Sequence, residues 1–144
     1  MTQRSKSTLF LIEQLIVIAV FAICAAVCIY VLTAAYFITD NTVAENNALL
    51  KAESAAEIFK ATGGDEGTVR SILGGTSSVR TGYPGVTVFY DDVWQNSNED
   101  NASYVLHIGY RPTGINNSLV VAELTVERIT GEELVTFPLA ARAG

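Results

Sequence analysis

The chain has 144 residues, 49% of them hydrophobic, with nine Lys and Arg against fifteen Asp and Glu for a formal net charge of −6. That length admits one small domain beside an anchoring segment, and the acidic balance disfavours direct binding to nucleic acid. The positive mean hydropathy of +0.31 originates in the residues before Thr39; beyond them the composition is that of a soluble domain.

Residues 1–8, MTQRSKST, read as a short polar leader that carries Arg4 and Lys6 and no acid. Ser7 or Thr8 is placed to cap a following helix, because a hydroxyl accepts from the free N–H groups of a first turn. Leu9 to Ile38 is almost wholly apolar, without Gly or Pro, and its twenty-four residues from Leu15 to Ile38 carry no charge. At 1.5 Å per residue that run is about 36 Å of helix, enough to cross a hydrocarbon core of about 30 Å. It is too long for the apolar core of a secretory signal, which runs about 7–15 residues. Arg4 and Lys6 precede it and Asp40 and Glu45 follow it, a polarity that keeps the N-terminus cytoplasmic and sends the C-terminal part outside. The expectation is a single-pass protein of the cytoplasmic membrane. Cys24 and Cys28 lie within the run and read as small packing residues; Ala22 and Ala26 form a small-xxx-small pair of the kind that favours close helix packing.

Helical character continues through residues 40–60. Ala44, Ala48, Ala52, Ala55 and Phe59 recur at helical spacing, with Val43, Leu49, Leu50, Ala56 and Ile58 widening the stripe. The pattern predicts one helix from about Thr8 to Lys60, about 80 Å at 1.5 Å per residue, stopped by Gly63-Gly64. The segments are therefore a leader (1–8), a membrane-spanning half-helix (9–38), an amphipathic continuation (39–62) and a globular head (63–144). Residues 39–144 carry seven Lys and Arg against fourteen Asp and Glu, a net of −7, which disfavours direct contact with nucleic acid or anionic lipid.

Residues 65–75 read as a short helix or turn closed by Gly74-Gly75, with Val69, Ile72 and Leu73 plugging one end of the head. Gly82 to Gly85 is turn chemistry around Pro84. From there the period changes to two. Four strands are expected: Val86 to Trp94, Tyr104 to Arg111, Leu119 to Ile129 and Leu134 to Leu139. Polar loops at Asn96–Asn101 and Thr113–Asn117 and a turn at Thr130–Glu133 separate them. Pro138 cannot donate to a ladder, so the last strand should lie at an edge or fray there. Short connections imply an antiparallel meander, and the Ala-rich stripe can cover its apolar face. The fold class is α+β: a long N-terminal helix packed on a small antiparallel four-stranded sheet.

The segment Leu9-Phe10-Leu11-Ile12-Glu13-Gln14-Leu15-Ile16-Val17-Ile18 resembles the start of type IV pilins and pseudopilins. In that family a leader precedes a short apolar start, a glutamate, and an apolar run that continues into a long helix. The resemblance implies cleavage between Thr8 and Leu9 by a prepilin peptidase, N-methylation of Leu9, and a role for Glu13 in assembly with other pilin-like subunits. Thr8 stands where the family usually has Gly, and Tyr30 where many major pilins have a helix-kinking Pro. A carboxylate in an apolar run usually has a partner. In a staggered bundle Glu13 can meet the free N-terminal ammonium of a neighbour and so fix register; as a plain interfacial residue it would reach to the headgroups, beside Gln14.

No constellation for catalysis is visible. His107 is the only histidine and reads as structural; Gly63-Gly64 and Gly74-Gly75 are not followed by Lys-Ser/Thr, and there is no Gly-x-Ser-x-Gly elbow. Asp91, Asp92, Asn96, Asn98, Glu99 and Asp100 make an oxygen-rich loop that lacks EF-hand spacing and reads as solvated. Asn101-Ala102-Ser103 and Asn116-Asn117-Ser118 are glycosylation sequons, a pattern common by chance. Tyr90, Trp94, Tyr104 and Tyr110 read as core before contact patch. No cofactor, metal or enzymatic activity is expected. The leading expectation is a minor or divergent pilin-like subunit of a type IV pilus, competence pilus or type II secretion pseudopilus, anchored in the membrane and found in a cell-surface filament. The alternative is a single-pass membrane protein whose outer head binds a partner without forming filaments.

Overall fold

The computed structural model describes residues 2–80, 82–112 and 118–142. The expected loop at Thr113–Asn117 and the first two residues of the second sequon lie outside them. The element order is α1 (Thr2–Ala61), α2 (Glu66–Leu73), β1 (Thr76–Arg80), β2 (Tyr83–Tyr90), β3 (Asn96–Ser97), a 3-10 turn (Glu99–Asn101), β4 (Tyr104–Arg111), β5 (Leu119–Arg128) and β6 (Glu133–Arg142). The fold is α+β, as expected. The chain divides into two compact units, one up to Thr42 and one from Val43 onward.

Helix α1 begins at Thr2, so Ser7 and Thr8 lie inside it and do not cap it. No Gly or Pro separates the polar leader from the apolar run, and Gln, Arg and Lys are good helix formers. In the first unit the hydroxyls of Thr33, Thr39 and Thr42 donate to the carbonyls of Ile29, Ala35 and Ile38, each at 2.9 Å. Such back-bonding satisfies a hydroxyl that has no water to bond in an apolar setting. The helix ends where Gly63 and Gly64 take left-handed φ values of 64° and 78°. The Gly64 N–H donates to the Phe59 carbonyl at 2.8 Å and the Gly63 N–H to that of Lys60 at 3.2 Å, which satisfies the last turn in the Schellman manner.

The second unit is built on a sheet of order β1-β2-β4-β5-β6, antiparallel throughout, with β3 a two-residue addition to β2. Against the four strands expected, the difference is at the N-terminal edge. Strand β1 is too polar and short to show a period, and it pairs with β2 through a tight turn at Gly82, where φ is 84°. Pro84 and Gly85 consequently lie within β2 and not in a turn. A Cβ at Gly85 would sit 1.9 Å from the Ile108 carbonyl oxygen, so the approach of β2 to β4 requires glycine there. Strand β2 stops at Tyr90 rather than Trp94, because Asp91 starts a turn. Strand β6 runs on to Arg142 and forms the other edge, which accommodates Pro138.

The inner face of the sheet carries Val86, Val88, Leu106, Ile108, Leu124, Val126 and Leu139, all buried. Ala48, Ala52, Ala55 and Phe59 of α1, each 0% exposed, cover it, and Val69 of α2 fills one end. The Ala stripe is therefore the buried face. Val43, Leu49 and Leu50, expected to widen it, are exposed, and so is Ile72. They fall on the sides of their helices turned from the sheet; in α1 the sheet-facing side is already filled by the stripe of small residues.

Candidate functional site

The candidate assembly segment lies in the first unit. Thr8, Leu9 and Glu13 are consecutive features of one exposed helical surface. Leu9 and Glu13 are spaced i, i+4 and so share a face one turn apart. Between Lys6 and Asp40, Glu13 is the only charged residue. Among the described residues it has no ion-pair partner. Around it Leu9, Phe10, Leu11, Ile12, Leu15 and Ile16 are 51–70% exposed. α1 is long and apolar enough to cross a membrane, and none of its most apolar 18-residue stretch is buried within the chain. That surface is compatible with a membrane anchor. Placing a carboxylate in hydrocarbon without a partner is costly. Cys24 and Cys28 are free and exposed on the same helix.

The head contains a polar seam that no motif announces. On the outer face of the sheet Thr87, His107, Thr125 and Thr136 stand in register across β2, β4, β5 and β6. Their exposures of 1%, 2% and 8% for the first three show that this face too is closed off. Thr87 Oγ1 lies 2.9 Å from His107 Nδ1 and 2.5 Å from Ser78 Oγ, and the Thr136 hydroxyl donates to Thr125 Oγ1 at 3.1 Å. His107 Nε2 is buried as well, with the backbone of Tyr83 and Arg80 beside the ring. Burial pushes the imidazole below its ordinary value, and the nearby Arg80 charge adds to this; the backbone of Tyr83 and Arg80 opposes it. The imidazole is thus held neutral. Placed this deep, His107 and Thr87 serve the packing of the sheet.

What closes the outer face is Arg80. Its guanidinium donates to Glu127 of β5 at 2.7 Å. In the strand order β1 and β5 are separated by β2 and β4, about 14 Å across a flat sheet at the usual spacing. The contact therefore needs a curled edge, with Arg80 laid over the face. A second outer-face pair, Arg111 with Glu123, lies beside it.

The oxygen-rich loop is organised by its own backbone. Asp91 Oδ1 accepts from the Val93 and Gln95 N–H groups at 3.0 and 2.9 Å. Among the described residues no three His, Cys, Asp or Glu side chains converge as metal ligands would. The turn places Trp94 at a left-handed φ of 62° and directs its ring inward, stacked on Tyr104 at 4.0 Å and 6.0 Å from Tyr90. Lys51 of α1 lies over the Tyr90 ring at 5.0 Å. Tyr90 and Trp94 are buried, and Tyr104 and Tyr110 pack against the same core. Asn101 of the first sequon is exposed in the 3-10 turn.

The chain matches no family model, no curated protein and no solved structure.

Proposed function

We propose that the chain is a pilin-like structural subunit, held in the cytoplasmic membrane through Leu9–Ile38 with the head outside, and assembled through that same helix into a filament. The observation that carries the reading is Glu13. An anchor accounts for an apolar surface of this length, but it gives no reason for a lone carboxylate one turn beyond Leu9. The pilin resemblance supplies one. A prepilin peptidase trims the chain after Thr8, and the free amine of Leu9 in one copy then meets Glu13 of its neighbour. The pair fixes the stagger of the bundle in the way a buried polar residue fixes coiled-coil register. The exposed apolar side chains along the helix are served by lipid before assembly and by neighbouring helices after it. The filament would belong to a type IV pilus, a competence pilus or a secretion pseudopilus, with other pilin-like subunits as partners.

The N-terminal mass of the protein extracted from membranes tests the processing step. A chain beginning at methylated Leu9 is expected. An intact leader in cells whose other prepilins are processed would favour the second reading, a permanently anchored protein whose head binds a partner. Thr8, where the resembling family has Gly, is the observation on that side.

A further inference from the structure

Helix α1 ends at Ala61 and leaves one end of the sheet's inner face uncovered. The last large side chain it lays there is Phe59, beside Tyr110. Val79 of β1 pairs with Pro84 of β2, and Pro84 lies one step past the Gly85–Gly109 rung, toward Tyr110 of β4. Val79 is 69% exposed, Pro84 and Pro112 are exposed, and Tyr110 is half-buried. Two open clefts meet at Tyr110. One, about 490 Å³, lies between Tyr83, Pro84, Arg111 and Pro112. The other, about 470 Å³, lies between the 62–66 turn and Val120. The Tyr110 hydroxyl has no hydrogen-bond partner.

The clefts differ in charge. At the first, Arg111 is already paired with Glu123 and lies over the Tyr83 ring. The second is lined by Asp65 and Glu66, and among the described residues neither pairs with a Lys or Arg; Lys60 and Arg70, the nearest bases in sequence, make no such bridge. Asp65 Oδ2 accepts from the Thr68 N–H at 2.8 Å and Glu66 Oε1 from the Ser77 hydroxyl at 3.1 Å, which leaves each carboxylate a second oxygen. Hydrogen bonding from Thr68 holds the Asp65 carboxyl below its ordinary value, so it stays charged. Burial pushes the Tyr110 hydroxyl up, and the Glu66 and Asp65 charges add to this. The C-terminal end of α1 contributes further negative potential. The acidic cleft therefore lacks a cation, and the aromatic one lacks an apolar cover.

We propose that this end of the head docks a proline-rich segment of a partner protein that carries a lysine or arginine, with the prolines against Tyr83, Pro84 and Tyr110 and the cation facing Asp65 and Glu66. A polyproline II segment makes no internal hydrogen bonds and keeps its backbone solvated, so it suits a surface that offers rings and not a free strand edge. That is the case here: β2 and β4 each have a neighbouring strand on both sides, and no row of backbone groups is open between them. The unpaired acids select the basic side chain by charge complementarity. A second copy cannot supply the segment, because the only prolines of this chain are Pro84, Pro112 and Pro138, far apart in sequence. The site belongs to the head alone and holds whether or not the chain enters a filament.

The test uses the full chain in nanodiscs of phosphatidylcholine, a lipid without net charge, and a fluorescein-labelled peptide of sequence PPPKPP followed by anisotropy. Saturable binding is expected. Replacing the peptide's lysine by alanine should weaken it by up to about fivefold, the span of a partly exposed ion pair. Replacing its prolines by alanine should remove saturable binding. The double variant Asp65→Asn, Glu66→Gln can still accept the Thr68 and Ser77 bonds, and it should bind the lysine and alanine peptides equally. Val79→Lys, at an exposed position, should weaken the lysine peptide by repulsion. The proposal is overturned if PPPKPP shows no saturable binding, if the proline-free peptide binds as well as PPPKPP, or if the acid-neutralised variant still prefers the lysine peptide. Binding that Val79→Lys leaves unchanged would place the segment elsewhere and overturn it too. Should a variant fail to fold, the peptide series on the parent chain decides.

Discussion

The Phe59 ring lies 5.9 Å from the Tyr110 ring, tilted by 45°, where the last turn of α1 closes on β4. Phe59 is 0% exposed and is the largest side chain the helix contributes to the core. Phe59→Ala should cost about 3–5 kcal/mol, the range for emptying a buried aromatic site. Thermal unfolding of the full chain in detergent, followed by near-ultraviolet circular dichroism, checks this. A loss below about 1 kcal/mol would mean that the end of the helix is not fixed on the sheet.

The Ala stripe makes an opposite prediction for added volume. Ala52 is 0% exposed against the sheet, whereas Leu50, two residues earlier, is 64% exposed. Ala52→Leu should destabilise the head by about 1–3 kcal/mol through overpacking. Leu50→Ala should stay within about 0.5 kcal/mol, as surface changes do. Equal effects at the two positions would contradict the assignment of the buried face.

Gly85→Ala tests the closest backbone approach in the sheet. The new Cβ would meet the Ile108 carbonyl at 1.9 Å, a backbone atom that no rotamer change can move. The first rungs between β2 and β4 must separate, and the cost should reach about 3 kcal/mol or more, the upper part of the overpacking range. Gly131→Ala, whose Cβ meets nothing within 4 Å but whose φ is 90°, should cost less and act only through backbone strain. Denaturant midpoints of the two variants give the comparison.

Stability of the head should fall as the solution is acidified through the histidine range. Burial lowers the His107 value in the folded state from its ordinary 6.5. The unfolded chain therefore binds the proton first, and the stabilisation present above pH 6.5 is lost as pH falls through the lower folded value. His107→Gln should remove that slope and leave the carboxylate-dependent fall at lower pH. If parent and variant had the same slope between pH 7 and 5, the buried imidazole would not be its source.

Much of the second unit was legible because its period is unambiguous. In Leu119–Arg128 the alternation of Val120, Ala122, Leu124 and Val126 with Val121, Glu123, Thr125 and Glu127 matches the two faces seen. The Ala44-to-Phe59 stripe likewise matches the buried face of α1. Strand β1 was not legible. Thr76-Ser77-Ser78-Val79-Arg80 has no apolar alternation, since its outer side chains bond to a polar seam and not to a core. The one local signal is the pair of residues preceding Tyr83, ending in Gly82, which suits a two-residue hairpin. The seam itself was hidden because its members come from strands far apart in sequence, and only the register brings Thr87, His107 and Thr125 side by side. Trp94 departs from its strand for a related reason: the Asp91 side chain outbids β propensity by bonding two backbone N–H groups of the turn.

The N-terminal segment was legible in another sense. Its helix follows from composition, whereas the role proposed for Thr8, Leu9 and Glu13 involves contact with a second copy and so is not written in the fold of one chain. The measurement that tests this most directly is filament assembly by Glu13→Val, compared with Glu13→Asp, at matched levels in the membrane. The account predicts that Glu13→Val inserts like the parent, yields little or no sheared filament, and that Glu13→Asp recovers part of the assembly because the charge is kept. Filaments from Glu13→Val in parental amount would contradict it and leave Leu9–Ile38 as an anchor alone.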